Sequence, residues 1–278
     1  MQTRTIALAF IAALLLPVTR AQYAGSVVSY TAGTGVNPAY TDPASALGEP
    51  SRVTPGLFGG PVDPFAAPYL ATQLVGLGAG GSLTVRFGTP VLDSAANPFG
   101  TDFQVFGNSF FVVTNGFDAD FNYIGTLATD GSVFGEGSAT TRVSVSADGA
   151  TFFTLNPSLA PALKALFPTD GSGDFTKPVN PALKNSDFAG LTLDGLRAKY
   201  AGSGGGAGYD LAWAQDTGGN PVALGSISFV RVEVLSGKAE IDGFSAVAAV
   251  PEPSTWALLG VGLSALLIAR RRVRHASS

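Results

Sequence analysis

Residues 141–155 read Thr-Arg-Val-Ser-Val-Ser-Ala-Asp-Gly-Ala-Thr-Phe-Phe-Thr-Leu. Successive side chains of an extended chain point to opposite faces, so Val143 and Val145 share one face and Arg142, Ser144 and Ser146 the other. Asp148-Gly149 supplies turn chemistry, and Thr151 to Leu155 resume the β-branched and aromatic composition of a strand. The stretch is predicted to be a β-hairpin with one apolar and one wet face. An apolar face of that kind needs an opposing sheet.

The pattern extends in both directions. Upstream, Leu83, Val85 and Phe87 alternate with Thr84 and Arg86, and two apolar runs at 102–106 and 110–114 end at Gly107-Asn108 and Asn115-Gly116. Downstream, 209–214, 227–235 and 239–250 read as strands, with Ser236-Gly237-Lys238 as the turn between the last two. Val143, Val145, Phe229, Val232 and Val234 are expected to face inward. Residues 156–206 interrupt the β pattern with two short helical candidates, 162–167 and 193–200, and then a flexible Ser203-Gly204-Gly205-Gly206 joint. That insertion is too long for a hairpin connection. Residues 22–81 carry Pro38, Pro43, Pro50, Pro55, Pro61, Pro64 and Pro68, too many for helix or central strand, and read as ordered loop with short edge strands. The predicted fold class is all-β, a jelly-roll-like β-sandwich over 22–249 with a short helical insertion at about 156–206.

Composition agrees and excludes several chemistries. Only 13% of residues are charged while 36 are glycine, which suits a secreted β protein and argues against a helical bundle. The absence of cysteine removes disulfides, zinc-thiolate sites and thiol nucleophiles. The one histidine is His275, near the C-terminus, so residues 22–249 hold no imidazole. Residues 22–253 contain twenty acidic and ten basic side chains, a net −10 that the overall −4 conceals. An acidic body disfavours nucleic acid, whose phosphates require Lys and Arg, and is compatible with divalent cations or neutral glycans.

Both ends read as address signals. Residues 1–21 have a basic start at Arg4, an apolar stretch at 6–18 and small residues around Thr19-Arg20-Ala21, the form of a secretory signal peptide cut before Gln22. Arg20 is unusual there and leaves an uncleaved anchor open. Residues 250–278 hold Pro251-Glu252-Pro253, then a charge-free run at 256–269 that opens on Trp256, then Arg270, Arg271, Arg272 and Arg274. The run is short against the roughly 20 helical residues of a full span, but Trp256 and the arginines sit well at the two interfaces and extend it. A single membrane helix is expected, with the basic cluster cytoplasmic and the body outside. A buried core helix would leave four arginines without partners.

These three parts, in this order, resemble the PEP-CTERM sorting signal of exopolysaccharide-making Gram-negative bacteria. The resemblance implies export across the inner membrane and recognition by an exosortase, a transpeptidase-like membrane protease. That enzyme cuts at or near Pro251, Glu252 and Pro253 and releases or re-attaches the protein at the cell surface, as in other C-terminal signals whose apolar tail is removed. The body, through GTDFQVFGNSF (100–110), the 141–153 stretch, GYDLAWA (208–214), SFVRVEV (228–234) and AEIDGFSAVA (239–248), resembles proteins whose implied fold is a galactose-binding-like or discoidin-like β-sandwich. Residues 42–50, DPASALGEP, are similar to an opening turn of such domains near a ligand or calcium loop, and also read as an ordinary proline-bounded turn.

Site chemistry is sparse. Asp118, Asp120 and Asn122 alternate like the first half of an oxygen-ligand calcium loop, but Tyr123 and Thr129 stand where an EF-type loop needs Gly and Glu. A polar loop between strands fits them better. Asp210 and Asp216 near Trp213 form a second candidate, because an aromatic ring beside carboxylates can stack on a sugar or help hold an ion. A glycosidase needs two carboxylates at a working separation, which spacing cannot supply, and serine or cysteine hydrolases would lack their base or nucleophile. The expectation is an exported, non-enzymatic cell-surface or extracellular-matrix protein with no cofactor, unless calcium binds at Asp118, Asp120 or Asp210. A carbohydrate-binding module acting on exopolysaccharide is the alternative, and a polysaccharide-acting hydrolase the third reading.

Overall fold

The structure is a computed structural model. It describes residues 22–248 except Phe117, Phe121, Tyr123, Ala162, Lys164, Ala165 and Leu166, together with Gly262. The expected signal peptide and the sorting tail, with Pro251, Glu252, Pro253, Trp256 and Arg270, Arg271, Arg272 and Arg274, lie outside the described residues, as does most of the 162–167 helix candidate. Among the described residues no helix is long and apolar enough to cross a membrane.

The described residues of the body form thirteen strands and one α-helix. In chain order they are β1 (Ala24–Thr31), β2 (Val53–Thr54), β3 (Gly60–Pro61), β4 (Val75–Gly78), β5 (Ser82–Leu92), β6 (Phe103–Gly107) and β7 (Phe111–Val113). Next come β8 (Thr129–Val133), β9 (Ala139–Ser146), β10 (Phe153–Leu155), helix α1 (Leu193–Tyr200), β11 (Ala207–Tyr209), β12 (Ala214–Gln215) and β13 (Ser226–Ala246). The expected hairpin is β9 with β10, and its register pairs Phe153 with Val145. Its connection is longer than the expected tight turn. Asp148 organises it, its Oδ1 accepting from the N–H groups of Ala150 and Thr151 and from the Ser146 hydroxyl.

β13 is the spine. Its first half lies between β5 and β9, in the order β1-β5-β13-β9-β10-β12, and its second half lies between β4 and β6, with β11 beyond β6. The expected turn at Ser236-Gly237-Lys238 is therefore absent, and one 21-residue strand passes from one sheet into the other. What sequence alternation suggested as a turn is a bulge. The inward, buried residues are Ile227, Val230, Val232, Val234, Ala239, Ile241 and Phe244. That series breaks its even spacing three times, and each break coincides with a register shift, at 227/229, 234/236 and 241/243. A bulge inserts one residue and so reverses which face the residues after it occupy.

The first bulge also corrects the inward set. Val143, Val145, Val232 and Val234 are buried as expected, but Phe229 is only half-buried on the outer face. There its ring covers Gly149 of the β9–β10 connection, with the Arg86 guanidinium 5.7 Å from its centroid. Side chains from both sheets, including Leu77, Leu83, Val105, Val145, Tyr209 and Phe244, form a single apolar core, the sandwich arrangement. Each such side chain contributes roughly 1.5–3 kcal/mol on burial.

The 156–206 insertion adds a layer rather than a loop. α1 forms where helical spacing placed it. Its Leu196 and Tyr200, four apart and so on one face, enter a second core with Phe111, Val133, Val179 and Phe188. Arg197 clamps Asp170 through Nε at 2.9 Å and Nη2 at 3.2 Å. The Ser203–Gly206 stretch is not a joint. It is buried, with Gly204 hydrogen-bonded to Asp170 and Asp174, and a Cβ on Gly204 would run into the Phe175 ring. The glycines there serve close approach. The 209–214 strand is likewise broken, because Asp210 caps a 3₁₀ turn, Leu211–Trp213, between β11 and β12.

The inward series gives a test. Val232→Asp places an unpaired charge in the core and is expected to abolish folding, whereas Phe229→Ser is expected to leave a cooperatively folding domain with a modestly lower Tm. Circular dichroism melts decide it, and a folded Val232→Asp protein would contradict the register.

Candidate functional site

β5 ends at Leu92 and β6 begins at Phe103, and the segment between them returns to the end of the sandwich where β11 leaves its sheet. Asp102 sits at that junction with no exposed surface. Its Oδ1 accepts from Asn97 Nδ2 at 2.7 Å and the Ser94 N–H at 3.1 Å, and its Oδ2 from the Leu211 N–H at 2.8 Å. Its backbone N–H donates to the Tyr209 carbonyl and its carbonyl accepts from Val247. One residue thus joins the 93–101 connection, the Leu211 turn and the C-terminal exit. Burial pushes its carboxyl up to about 6 despite those donors.

Asp93 and Asp210 complete a group with Asp102, with one carboxylate oxygen from each lying within 4.8 Å of the others. Burial raises the Asp210 carboxyl, and the Asp93 charge adds to it. Three carboxylate oxygens suit a hard cation such as calcium, but the Asp102 oxygens already serve three N–H donors and Asp210 Oδ1 accepts from Ala212 at 2.8 Å. Those bonds account for Asp102 as a structural pin without an ion.

The structure separates the candidates that spacing had grouped. Asp210 lies with Asp93 and Asp102, which sequence reading missed. Asp118 and Asp120 lie in an exposed loop. There Asp118 Oδ1 accepts from the N–H groups of Asp120 and Asn122, and its Oδ2 from Asn122 Nδ2. Asp216 repeats the same closure with Gly218 and Asn220. A shared Asp-x-x-x-Asn loop explains the alternation that suggested calcium. The 42–50 segment is a capped turn: Asp42 accepts from the Ala44 N–H and Gly48 donates to the Ala24 carbonyl of β1.

A cleft of about 210 Å³ has walls that include Phe99, Leu159, Phe167, Pro178, Pro181 and Trp213, with Gly208 of β11 among its lining and none of the three carboxylates. A larger and more open depression of about 340 Å³ along β9 and β10 has no aromatic side chain in its lining. The smaller one is lined mainly by apolar and aromatic side chains, with Thr101 the hydroxyl among its described lining residues.

The chain leaves the body close to its own beginning. Tyr23 bridges Ser245, Ala246 donates to the Gln22 carbonyl at 2.6 Å, and Ala248 donates to Thr176 at 3.0 Å. The stretch directly after Ala248 is the decisive one. Residues 249–272 match the PEP-CTERM protein-sorting motif. The match supports exosortase-dependent sorting of an exported protein and makes a membrane-embedded exosortase the implied partner. No curated protein matches the chain.

Buried carboxyls make stability depend on pH. Burial raises Asp242, which accepts from the Ser51 N–H and hydroxyl at 2.7 Å each, to about 7. With Asp102 and Asp242 both raised, the folded state binds more protons than the unfolded chain between about pH 4 and 7, so stability falls as pH rises through that window and levels above it. Below about pH 4 the depressed carboxyls of Asp118, Asp130, Asp148, Asp216 and Glu233 reverse the slope. Melting temperatures at pH 5 and 8 are expected to differ by several degrees in favour of pH 5, and Asp242→Asn to shrink the gap. A Tm that rises with pH over this range would contradict it.

Proposed function

We propose that the chain is an exported, non-enzymatic cell-surface or extracellular-matrix protein that an exosortase processes at Pro251-Glu252-Pro253. The carrying observation is the sorting motif, which begins one residue beyond Ala248, where the body's last described hydrogen bond is made. Extended chain spans at most about 3.6 Å per residue, so the body lies within about 11 Å of Pro251. With the charge-free run at 256–269 in the bilayer and the arginines on the cytoplasmic side, the Pro-Glu-Pro block stands at the outer boundary. Proline keeps it out of the helix and within reach of a protease.

The non-enzymatic reading draws on the carboxyls. The two raised to about 6 and about 7, Asp102 and Asp242, are enclosed and engaged in holding loops. The described body has no histidine or cysteine to act as base or nucleophile. For the sandwich itself we propose the jelly-roll, galactose-binding-like type, and for the cofactor, none. A second reading, a carbohydrate-binding module, is favoured by the aromatic lining of the 210 Å³ cleft, Phe99, Phe167 and Trp213.

Mass spectrometry of the protein from its native host tests the sorting. A mature chain ending at or near Pro253 is expected. Replacing Pro251, Glu252 and Pro253 by Ala is expected to leave insertion intact and block processing, and replacing the four arginines by Ser to weaken retention. A chain still ending at Ser278 would show the tail to be a permanent anchor.

A further inference from the structure

The chain contains nine asparagines, and five of them, Asn37, Asn97, Asn156, Asn180 and Asn220, stand before proline. Proline has no N–H, so its nitrogen cannot attack the preceding side-chain amide. Of the other four, Asn108 and Asn185 precede serine and Asn122 precedes tyrosine, whose side chains crowd such an attack. Only Asn115 precedes glycine, the residue whose backbone turns most freely to bring its nitrogen onto the neighbouring carboxamide. One position thus combines the chemistry for spontaneous loss of a side-chain amide.

The structure gives that amide a task. Past the Val113–Thr129 pair of β7 and β8, the pairing runs one step further, with the Thr114 N–H donating to the Ala128 carbonyl at 2.9 Å. Asn115 then continues it with its side chain: Oδ1 accepts from the Ala128 N–H at 2.8 Å, and Nδ2 donates to the Ile124 carbonyl at 3.0 Å. One carboxamide clasps the neck of the loop that carries Asp118, Asp120 and Asn122. Only an amide offers a donor and an acceptor at once, whereas an ionised carboxylate only accepts and would face the Ile124 carbonyl oxygen. The attacking group is accessible. Gly116 is exposed, and among the described residues its N–H donates to no partner, while its carbonyl accepts from the Ile124 N–H at 2.9 Å. Asn115, Gly116, Ile124 and Ala128 belong to neither apolar core, so opening the neck breaks surface hydrogen bonds and little packing.

We propose that Asn115 is a self-modification site whose reaction unclasps this loop. When the neck opens, the Gly116 nitrogen gives its proton to solvent base and bonds to Asn115 Cγ, the Cγ–Nδ2 bond breaks, and ammonia leaves. Water opens the resulting cyclic imide at either carbonyl, giving aspartate or, with the main chain rerouted through the side chain, isoaspartate. Nothing is oxidised or reduced, and water is the one co-reactant. Either product lacks the Nδ2 donor and adds a negative charge to a loop that already holds Asp118 and Asp120, so the clasp does not re-form. The loop is released once and irreversibly. This goes beyond the sorting reading and is independent of whether the body binds a ligand or the tail is cut.

The experiment ages the protein as its host produces it, in detergent, at pH 8 and at pH 5. Peptide mass spectrometry follows each asparagine, and the amide-to-acid mass gain separates this reaction from rearrangement at the Asp-Gly pairs. Conversion is expected to be fastest at Asn115 and faster at pH 8, because the attacking nitrogen must lose its proton. Gly116→Ala is the informative variant: a Cβ there would meet Ile124 Cδ1 at 3.7 Å, an ordinary contact, so the clasp is kept while the attack slows by about tenfold or more. In the aged protein, amide hydrogen exchange over 114–128 is expected to rise to the level of Asn115→Asp, with the strands of both sheets as protected as before. No conversion at Asn115, another asparagine converting first, or Gly116→Ala converting as fast as the parent would overturn the site. Full conversion with unchanged exchange over 114–128 would overturn the clasp.

Discussion

One strand common to two sheets is the constraint on which the rest depends. β13 carries inward residues from Ile227 to Phe244, and both halves contribute to one core. A strand with strict alternation could not do this while bending, because the bend would carry its apolar set to the outer face. Three bulges restore the phase each time, and the neighbours on either side adopt the register they impose. Sheet edges and loops then attach to a frame already closed at its centre.

The end of that strand places the functional features together. Past Ala246 the chain is held by Asp102 and Thr176, and Asp102 also anchors the 94–97 segment and the Leu211 turn that lead to Phe99 and Trp213. The exit toward the sorting motif and the Leu211 turn are thus tied through one buried residue, its backbone carbonyl holding the first and its carboxylate the second. The first residues of the body pair beside the exit, Tyr23 with Ser245, so the body closes on itself just before the motif begins.

Local chemistry made much of the fold legible. Leu83, Val85 and Phe87 alternate as a half-buried strand must, Val143 and Val145 mark their hairpin, and the 193–200 helix appears at its expected bounds. The failures have a common cause, which is that tertiary contact overrode a local signal. Ser236-Gly237-Lys238 looks like a turn because a bulge and a turn draw on the same residues. Ser203–Gly206 looks like a flexible joint because nothing local reveals that the Phe175 ring packs against Gly204. Asp210 is far in the chain from Asp93 and Asp102, so no spacing rule unites the three.

Hydrogen exchange read out by mass spectrometry tests the shared strand most directly. If β13 joins both sheets into one unit, peptides covering 227–234 and 239–246 are expected to lose protection in a single cooperative event, at the free energy of global unfolding. Exchange of 239–246 at a much lower free energy, with 227–234 still protected, would show two sheets that open separately and would contradict the account.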